Sequence, residues 1–397
     1  VLTTPGDIGD GAILALLGEL LRPEFDPAAT GALRVRMMGP AFSWQALVDL
    51  ARGQGVLLPL TFALSAKKLL PPIPRSMAGL DHHVGVVLDR TYAQHLAWRQ
   101  SDQRQLDEVL RLLGGIGTPP LLLKGARYLV DPLGAWCEAR TMSDIDILLP
   151  PDHAKTAFSA LLAEGYRQMV DDEFVYGPTH SHHLPALVHP DHALAVEIHT
   201  DALSVAGRRL LPTELVWSHA SSPAADGRCL VLPPVWHALH GLLHHQVQDR
   251  GHIQRTLNLK ALWEWTMLAR AFTATDWETV GAFARQAGAT DVLDSWLLQA
   301  ERLLGSAPPL PRTSAPSATA HADATLRLAF QPYWLRRARS VADQLRTSFA
   351  RETLAGKYDV APTQVSLRHA VRNIADLLRR HRGNVLLRLT GNRDQLW

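Results

Sequence analysis

The chain has 397 residues, with 40 Lys and Arg against 38 Asp and Glu and 47% hydrophobic residues. That balance is of an ordinary globular protein with two or three domains and almost no net charge. The apolar runs Leu14–Leu21 and Leu57–Leu70 are both broken by charged or polar residues, which excludes a helical membrane span. The two cysteines, Cys137 and Cys229, fit neither a disulfide framework nor a zinc spacing, and suit a reduced, cytoplasmic setting. The first residues also lack the pattern of a secretory signal.

Residues 1–116 are expected to be helical. Ile13, Leu14, Leu16, Leu17, Leu20 and Leu21 share an apolar face, and Ser43 is suited to cap a helix starting at Trp44. A long amphipathic helix is expected from Gly85 to Leu113, stopped by Gly114-Gly115.

Residues 117–220 read as a mixed α+β core. Leu121–Leu123 form a buried strand that ends at Lys124-Gly125, where glycine lets backbone N–H groups approach a phosphate and lysine adds positive charge. After a turn at Asp131-Pro132-Leu133-Gly134 comes a strand in which Asp144 and Asp146 alternate with Ile145 and Ile147. Both carboxylates then share one face and repel each other unless a hard divalent cation neutralises them. A bare Asp-x-Asp is more often a pair of solvated aspartates, so its neighbours must decide. Asp152 is suited to cap a helix through Leu162 that stops at Gly165. Strands are expected near Tyr166–Met169, Glu173–Tyr176, His182–Val188 and Leu194–His199, with a turn at Pro190-Asp191. In the last strand Leu194, Val196 and Ile198 alternate with Glu197 and His199, which puts Glu197 and His199 on the non-core face. A tight hairpin would bring His183 near both.

Residues 221–305 return to helical spacing. His237, His240 and His244 fall on one helical face and, with His245, Arg255 or Lys260, either wall a pocket or sit at the core edge. Trp263, Trp265, Trp277 and Trp296 read as packing anchors. A Pro/Ser/Ala-rich stretch within 306–322 reads as a linker. From 323 to 397 fourteen Lys and Arg stand against six Asp and Glu, densest at Arg336-Arg337 and Arg379-Arg380. This basic region suits an anionic partner such as RNA, a membrane surface or an acidic protein, or is simply a solvated helix face.

Taken in order, Lys124-Gly125, Arg140-x-x-Ser143-Asp144-Ile145-Asp146, Glu164-Gly165-Tyr166 and Val196-Glu197-Ile198-His199 resemble the poorly characterised bacterial nucleotidyltransferases of the DNA polymerase β superfamily, over Leu121 to Gly305. The resemblance implies a small mixed sheet embedded between the helical regions. Asp144, Asp146 and Glu197 would be the catalytic carboxylates and hold Mg²⁺, with Mn²⁺ as a substitute. Lys124, Gly125, Arg140, Ser143, His199 and Lys260 would surround ATP or another NTP. The implied reaction moves NMP, most commonly AMP, to a hydroxyl or phosphate of a small molecule, a peptide or protein, or RNA. Gly125-Ala126 departs from the Gly-Ser of many members, and Asn258 stands where many have an acidic residue. Two rivals are a metal-dependent hydrolase built on the histidines from His180 to His199, and a catalytically silent nucleotide-binding protein. The hydrolase leaves Lys124-Gly125 and the Asp-x-Asp unexplained; the three carboxylates argue against silence. If Asp144 and Asp146 are both solvated, replacing either by Ala should abolish transfer and leave the fold intact.

Overall fold

The structure is a computed structural model that describes residues 10–24, 26–39, 42–70, 80–169, 182–223, 227–310, 315–331 and, with short gaps, 335–375. The expected strand at Glu173–Tyr176, together with His180, Arg336, Arg337, Arg379 and Arg380, lies outside the described residues. Before the sheet come α1 (Asp10–Leu21), α2 (Pro27–Met37), α3 (Trp44–Gly53), α4 (Leu57–Ala66) and α5 (Leu80–Leu113). Ser43 caps α3 as expected, its hydroxyl accepting from the Ala46 N–H at 3.2 Å.

The sheet has five short strands, β1 (Leu121–Leu122), β2 (Asp144–Leu148), β3 (Arg167–Gln168), β4 (Leu187–Val188) and β5 (Ala195–His199), in the order β1-β2-β5-β4-β3. Among the strands of the described residues β2 and β5 run parallel, and the other neighbouring pairs are antiparallel. A parallel pair needs a crossover. Here it is the helix and hairpin between them. A short turn at Lys124–Ala126 runs into α6 (Arg127–Val130), and α7 (Pro151–Ala163) follows β2. The α7 helix starts about two residues earlier than a cap at Asp152 would place it. Pro151 takes the first helical position, and Asp152 lies in the first turn rather than at the cap. Pro suits that position because its missing N–H has no helical partner there.

The later helices are α8 (Val205–Arg208), α9 (Thr213–Ser218), α10 (Pro234–Leu243), α11 (Gly251–Gln254), α12 (Leu259–Ala269), α13 (Ala274–Gln286), α14 (Thr290–Leu304), α15 (Pro316–Ala329) and α16 (Arg351–Tyr358). The linker reading of 306–322 is corrected at its far end. Pro316 opens α15 and the small, buried Ala318 and Ala322 lie along it; residue composition suggested a loop, but alanines at helical spacing let two helices approach closely. Cys137 and Cys229 are both buried and are not joined in a disulfide. No helix among the described residues is long and apolar enough to cross a membrane.

Two apolar cores hold these layers. Ile145, Ile147, Val196 and Ile198 point from the sheet into one of them, against Leu106, Val109 and Leu110 of α5 and Ala154, Ala157 and Leu161 of α7. Alternation along each strand therefore turns Asp144, Asp146 and Glu197 to the opposite face. The larger core joins α1, α3 and α4 to α10, α12, α13 and α14. Hence the N-terminal helices and the tail bury the same surface. Buried Gln105 of α5 sets the start of β5: its side-chain amide donates to the Leu194 carbonyl at 2.8 Å and accepts from the Leu194 N–H at 3.1 Å.

The contact between α1 and α14 depends on Gly18. A Cβ at that position would lie 2.8 Å from the Leu303 carbonyl oxygen, a backbone atom that cannot swing aside. Gly18→Ala should gain about 1 kcal/mol of helix propensity yet lose about 1–3 kcal/mol to overpacking. Urea unfolding is expected to show a net loss of stability, and a more stable variant would contradict the close approach of these two helices.

Candidate active site

The parallel register sets Asp146 beside Glu197 and Leu148 beside His199. Asp146 is completely buried, and two donors meet at one of its oxygens. Lys124 Nζ donates to Oδ1 at 2.7 Å, and His199 Nε2 donates to the same oxygen at 2.9 Å. His199 Nε2 also lies 3.6 Å from Glu197 Oε2. The other oxygen, Asp146 Oδ2, is buried with no partner. Lys124 reaches this place from a left-handed backbone conformation, φ 45°, which is unfavourable for a side-chain-bearing residue by about 1–2 kcal/mol.

The electrostatics follow from this crowding. Burial alone would raise the Asp146 pKa, but the Lys124 charge and the His199 bond outweigh it and hold the carboxyl well below its usual range. Burial opposes the charge on His199 as well, and its bond to Asp146 and the nearby Glu197 carboxylate nevertheless raise its pKa. Lys124 is likewise raised by the carboxylates despite burial. Asp144 goes the other way. Burial, then the negative charge of Asp146, push its pKa up.

Solvation of both aspartates is thus corrected. Asp146 is an ion-paired core residue, whereas Asp144 is half-buried and strained by its neighbours. Replacing Asp146 by Ala would leave Lys124 and His199 without their partner, so an intact fold is expected only for Asp144 variants.

Ligand atoms of Asp146, Glu197 and His199 all lie within 4.8 Å of one another. Asp144 stands at the next same-face position along β2. An unpartnered carboxylate oxygen, a second carboxylate beside it and an aspartate destabilised by like charge form an oxygen-rich donor set that suits a hard divalent cation. These residues therefore fit the metal implied by the sequence.

Behind them lies a second set that sequence reasoning did not find. Glu264 of α12 accepts from Arg140 Nε at 2.9 Å and from the Tyr128 hydroxyl at 2.8 Å, and His237 Nε2 lies 3.9 Å away. The Arg140 guanidinium also packs 5.6 Å from the Tyr128 ring centre. Although burial opposes it, the Arg140 charge, then His237, keeps Glu264 ionised far below the usual carboxylate range. The readable signal was one acid among the buried positions of α12, between Trp263 and Trp265.

Gly125 meets a steric demand besides the phosphate contact expected of it. A Cβ there would strike Arg140 Nη1 and lie 2.7 Å from Met142 Cγ, so glycine makes room for the arginine. Lys260, in the first turn of α12, donates to the Thr141 carbonyl at 2.9 Å, and burial together with Arg140 lowers its pKa to about 8. Ser143 is exposed, and its carbonyl accepts from the Ala195 N–H at 3.2 Å. Asn258 caps α12 through the Ala261 N–H and donates to His245 Nδ1 at 3.1 Å.

The histidines divide among several partners. His183 does pair with His199 across the hairpin, their rings 5.3 Å apart. Half-buried His182 accepts from Gln248 Nε2 at 3.0 Å, and burial, then His199, lowers its pKa to about 2. Gln248 is placed by a wide π turn, His244–Gln248, that follows α10. His240 is fully buried and donates to the Ala202 carbonyl at 3.0 Å. His244 and His245 both face Asp249 Oδ2, at 3.3 and 3.1 Å.

With this geometry in place the comparison with known families becomes decisive, because residues 40–305 match the model of a family described as an uncharacterised nucleotidyltransferase. The chain belongs to that family. No curated protein and no solved structure matches it. The matched span takes in the carboxylate strands, the Lys124 turn and Glu264 alike.

Two tests follow from these contacts. Glu264→Ala leaves a buried arginine without its counter-ion, so unfolding experiments should show a loss of about 3–5 kcal/mol, with Glu264→Gln losing less because it can still accept from Tyr128. The histidines predict the pH response. His95 and His182 have folded pKa values near 4 and near 2 against 6.5 when unfolded, and His237, His240 and His244 are lowered by burial too. Their contribution is full above pH 6.5 and is lost as acid protonates the unfolded chain first. His199 alone opposes them; its contribution is full below pH 6.5 and is lost as pH rises through its raised folded value. Tm should therefore fall between about pH 7 and pH 5, before most carboxylates titrate. A Tm that rises on acidification would mean these imidazoles are charged in the fold.

Proposed function

We propose that the chain is a Mg²⁺-dependent nucleotidyltransferase that moves NMP, most readily AMP from ATP, onto a hydroxyl or phosphate acceptor with release of pyrophosphate. The observation that carries this reading is the unpartnered, buried Oδ2 of Asp146, flanked by Glu197 across the parallel pair and by Asp144 on the same strand face. Asp144, Asp146 and Glu197 would hold the cation. When bound, it would supply positive charge opposite the oxygens on which charge develops during transfer.

The chain's own residues account for the rest. In the reaction the acceptor oxygen forms a bond to the α-phosphorus as the α–β phosphoanhydride bond breaks, and the acceptor hydroxyl gives up its proton. Glu197 is partly exposed beside His199 and ionised, and it would receive that proton. Lys124, kept protonated by the carboxylates around it, fixes Asp146 and adds a positive charge on the side where a triphosphate would lie. Arg140 is less available than the sequence suggests, because Glu264 already pairs with it. Its contribution is to brace Gly125 and the segment that leads into Asp144. A zinc hydrolase finds less support: His199 donates to Asp146, and the His182 lone pair is taken by Gln248.

The experiment is incubation with each α-labelled NTP and cell extract, followed by separation of RNA, protein and small molecules. Label transferred from ATP with Mg²⁺ or Mn²⁺ is expected. Asp144→Asn, Asp146→Asn and Glu197→Gln should each lower it about 100-fold or more, since each removes several kcal/mol of charge stabilisation. Asp144→Asn should keep or slightly raise Tm, because it relieves repulsion from Asp146. Full transfer by folded Asp144→Asn or Asp146→Asn would sink the assignment.

A further inference from the structure

A cavity of about 520 Å³ lies away from the carboxylates, between the N-terminal helices and α12. Its volume is in the range of small-molecule sites. Its wall is apolar and aromatic, with Phe62, Trp136 and Trp263, while its charged residues are Arg22, Lys67 and Arg270. Among the described residues no acidic one lines it.

Lys67 is the unusual member. It is only 7% exposed, and its ammonium donates to the Arg22 carbonyl at 2.7 Å. Among the described residues no carboxylate pairs with Lys67, Arg22 or Arg270. Burial, then the charge of Arg270, lowers the Lys67 pKa to about 8, so the two cations feel each other. The three residues sit at the C-terminal ends of α1, α4 and α12, whose dipoles offset part of the charge. Each helix end supplies only about half a negative charge, and less where solvent reaches it, so positive charge remains in excess. A buried cation without a counter-ion is costly.

We propose that this cavity binds an organic anion, its carboxylate, sulfonate or phosphate head between Lys67 and Arg270 and its apolar body against Trp136, Trp263 and Phe62. The head relieves the excess charge, and the body removes aromatic surface from water. Arg270 is exposed at the mouth and supplies the first attraction; Lys67 is deeper and holds the head once water has left. The occupant would rest on Trp136 and Trp263, whose rings stand edge to face at 5.6 Å. Trp136 packs in turn on Tyr128, at 5.2 Å, and Tyr128 donates to Glu264, so the wall behind Arg140 is the floor of this site.

The test is a calorimetric titration of the full chain with 2-naphthoate, and in parallel with its neutral counterpart 2-naphthamide. It reads binding alone and so stands or falls separately from nucleotidyl transfer. One 2-naphthoate per chain is expected, with 2-naphthamide about tenfold weaker or worse. Arg270→Gln and Lys67→Met should each weaken 2-naphthoate about tenfold without changing 2-naphthamide. Ala66→Trp, at the exposed rim, should remove both by filling the space. Should Lys67→Met fail to fold, exposed Arg270→Gln still decides the role of charge. Failure of 2-naphthoate to bind, equal binding of the two probes, or binding indifferent to Arg270→Gln or Ala66→Trp would overturn the proposal.

Discussion

A carboxylate with no exposure at all sits on the face of a small sheet turned away from its apolar layer, and the remaining architecture answers to it. Asp146 can stay ionised there because Lys124 and His199 both donate to Oδ1. Those two donors come from different segments, one from the turn after β1 and one from the last residue of β5. The pairing therefore locks three pieces of chain in one register, and a slip of β5 by one residue would send both Glu197 and His199 into the apolar layer. Lys124 accepts an unfavourable backbone conformation to complete it. The other oxygen, Oδ2, is left buried without a hydrogen-bond partner.

Around this centre the helices are structural in a specific way. Glu264 ties α12 to Arg140 and Tyr128, and Lys260 of the same helix holds the Thr141 carbonyl. Because α12 shares its apolar core with α1, α3 and α4, the site's back wall rests on helices more than 200 residues away in sequence, as between Leu47 and Leu262. The family match begins at residue 40 and ends at residue 305, and thus takes in most of that core as well as the sheet.

Much of this was legible in residue alternation. The carboxylate face of β2, the face shared by Glu197 and His199, and the approach of His183 to His199 all follow from a period of two with apolar partners between. Depth was not legible. Strand periodicity shows which side a carboxylate takes but not what covers that side, and the cover comes from tail helices and from Lys124 and His199. Arg140 and Gly125 were read for phosphate contact because arginine and glycine suit it; in the fold each explains the other, since the guanidinium occupies the space a Cβ would take. Likewise α15 was hidden by proline and alanine, residues equally at home in a linker and at the start of a closely packed helix.

The π turn at His244–Gln248 acts as a one-residue insertion in the helical path. An ordinary α-helix advances about 100° per residue, so without the extra residue every side chain beyond His244 would be rotated by that angle. Gln248 would then face away from both His182 and the Ser204 N–H, which it now joins. The irregular turn is in effect a phase shift, and it lets one helix serve the apolar core in its first half and the polar site in its second.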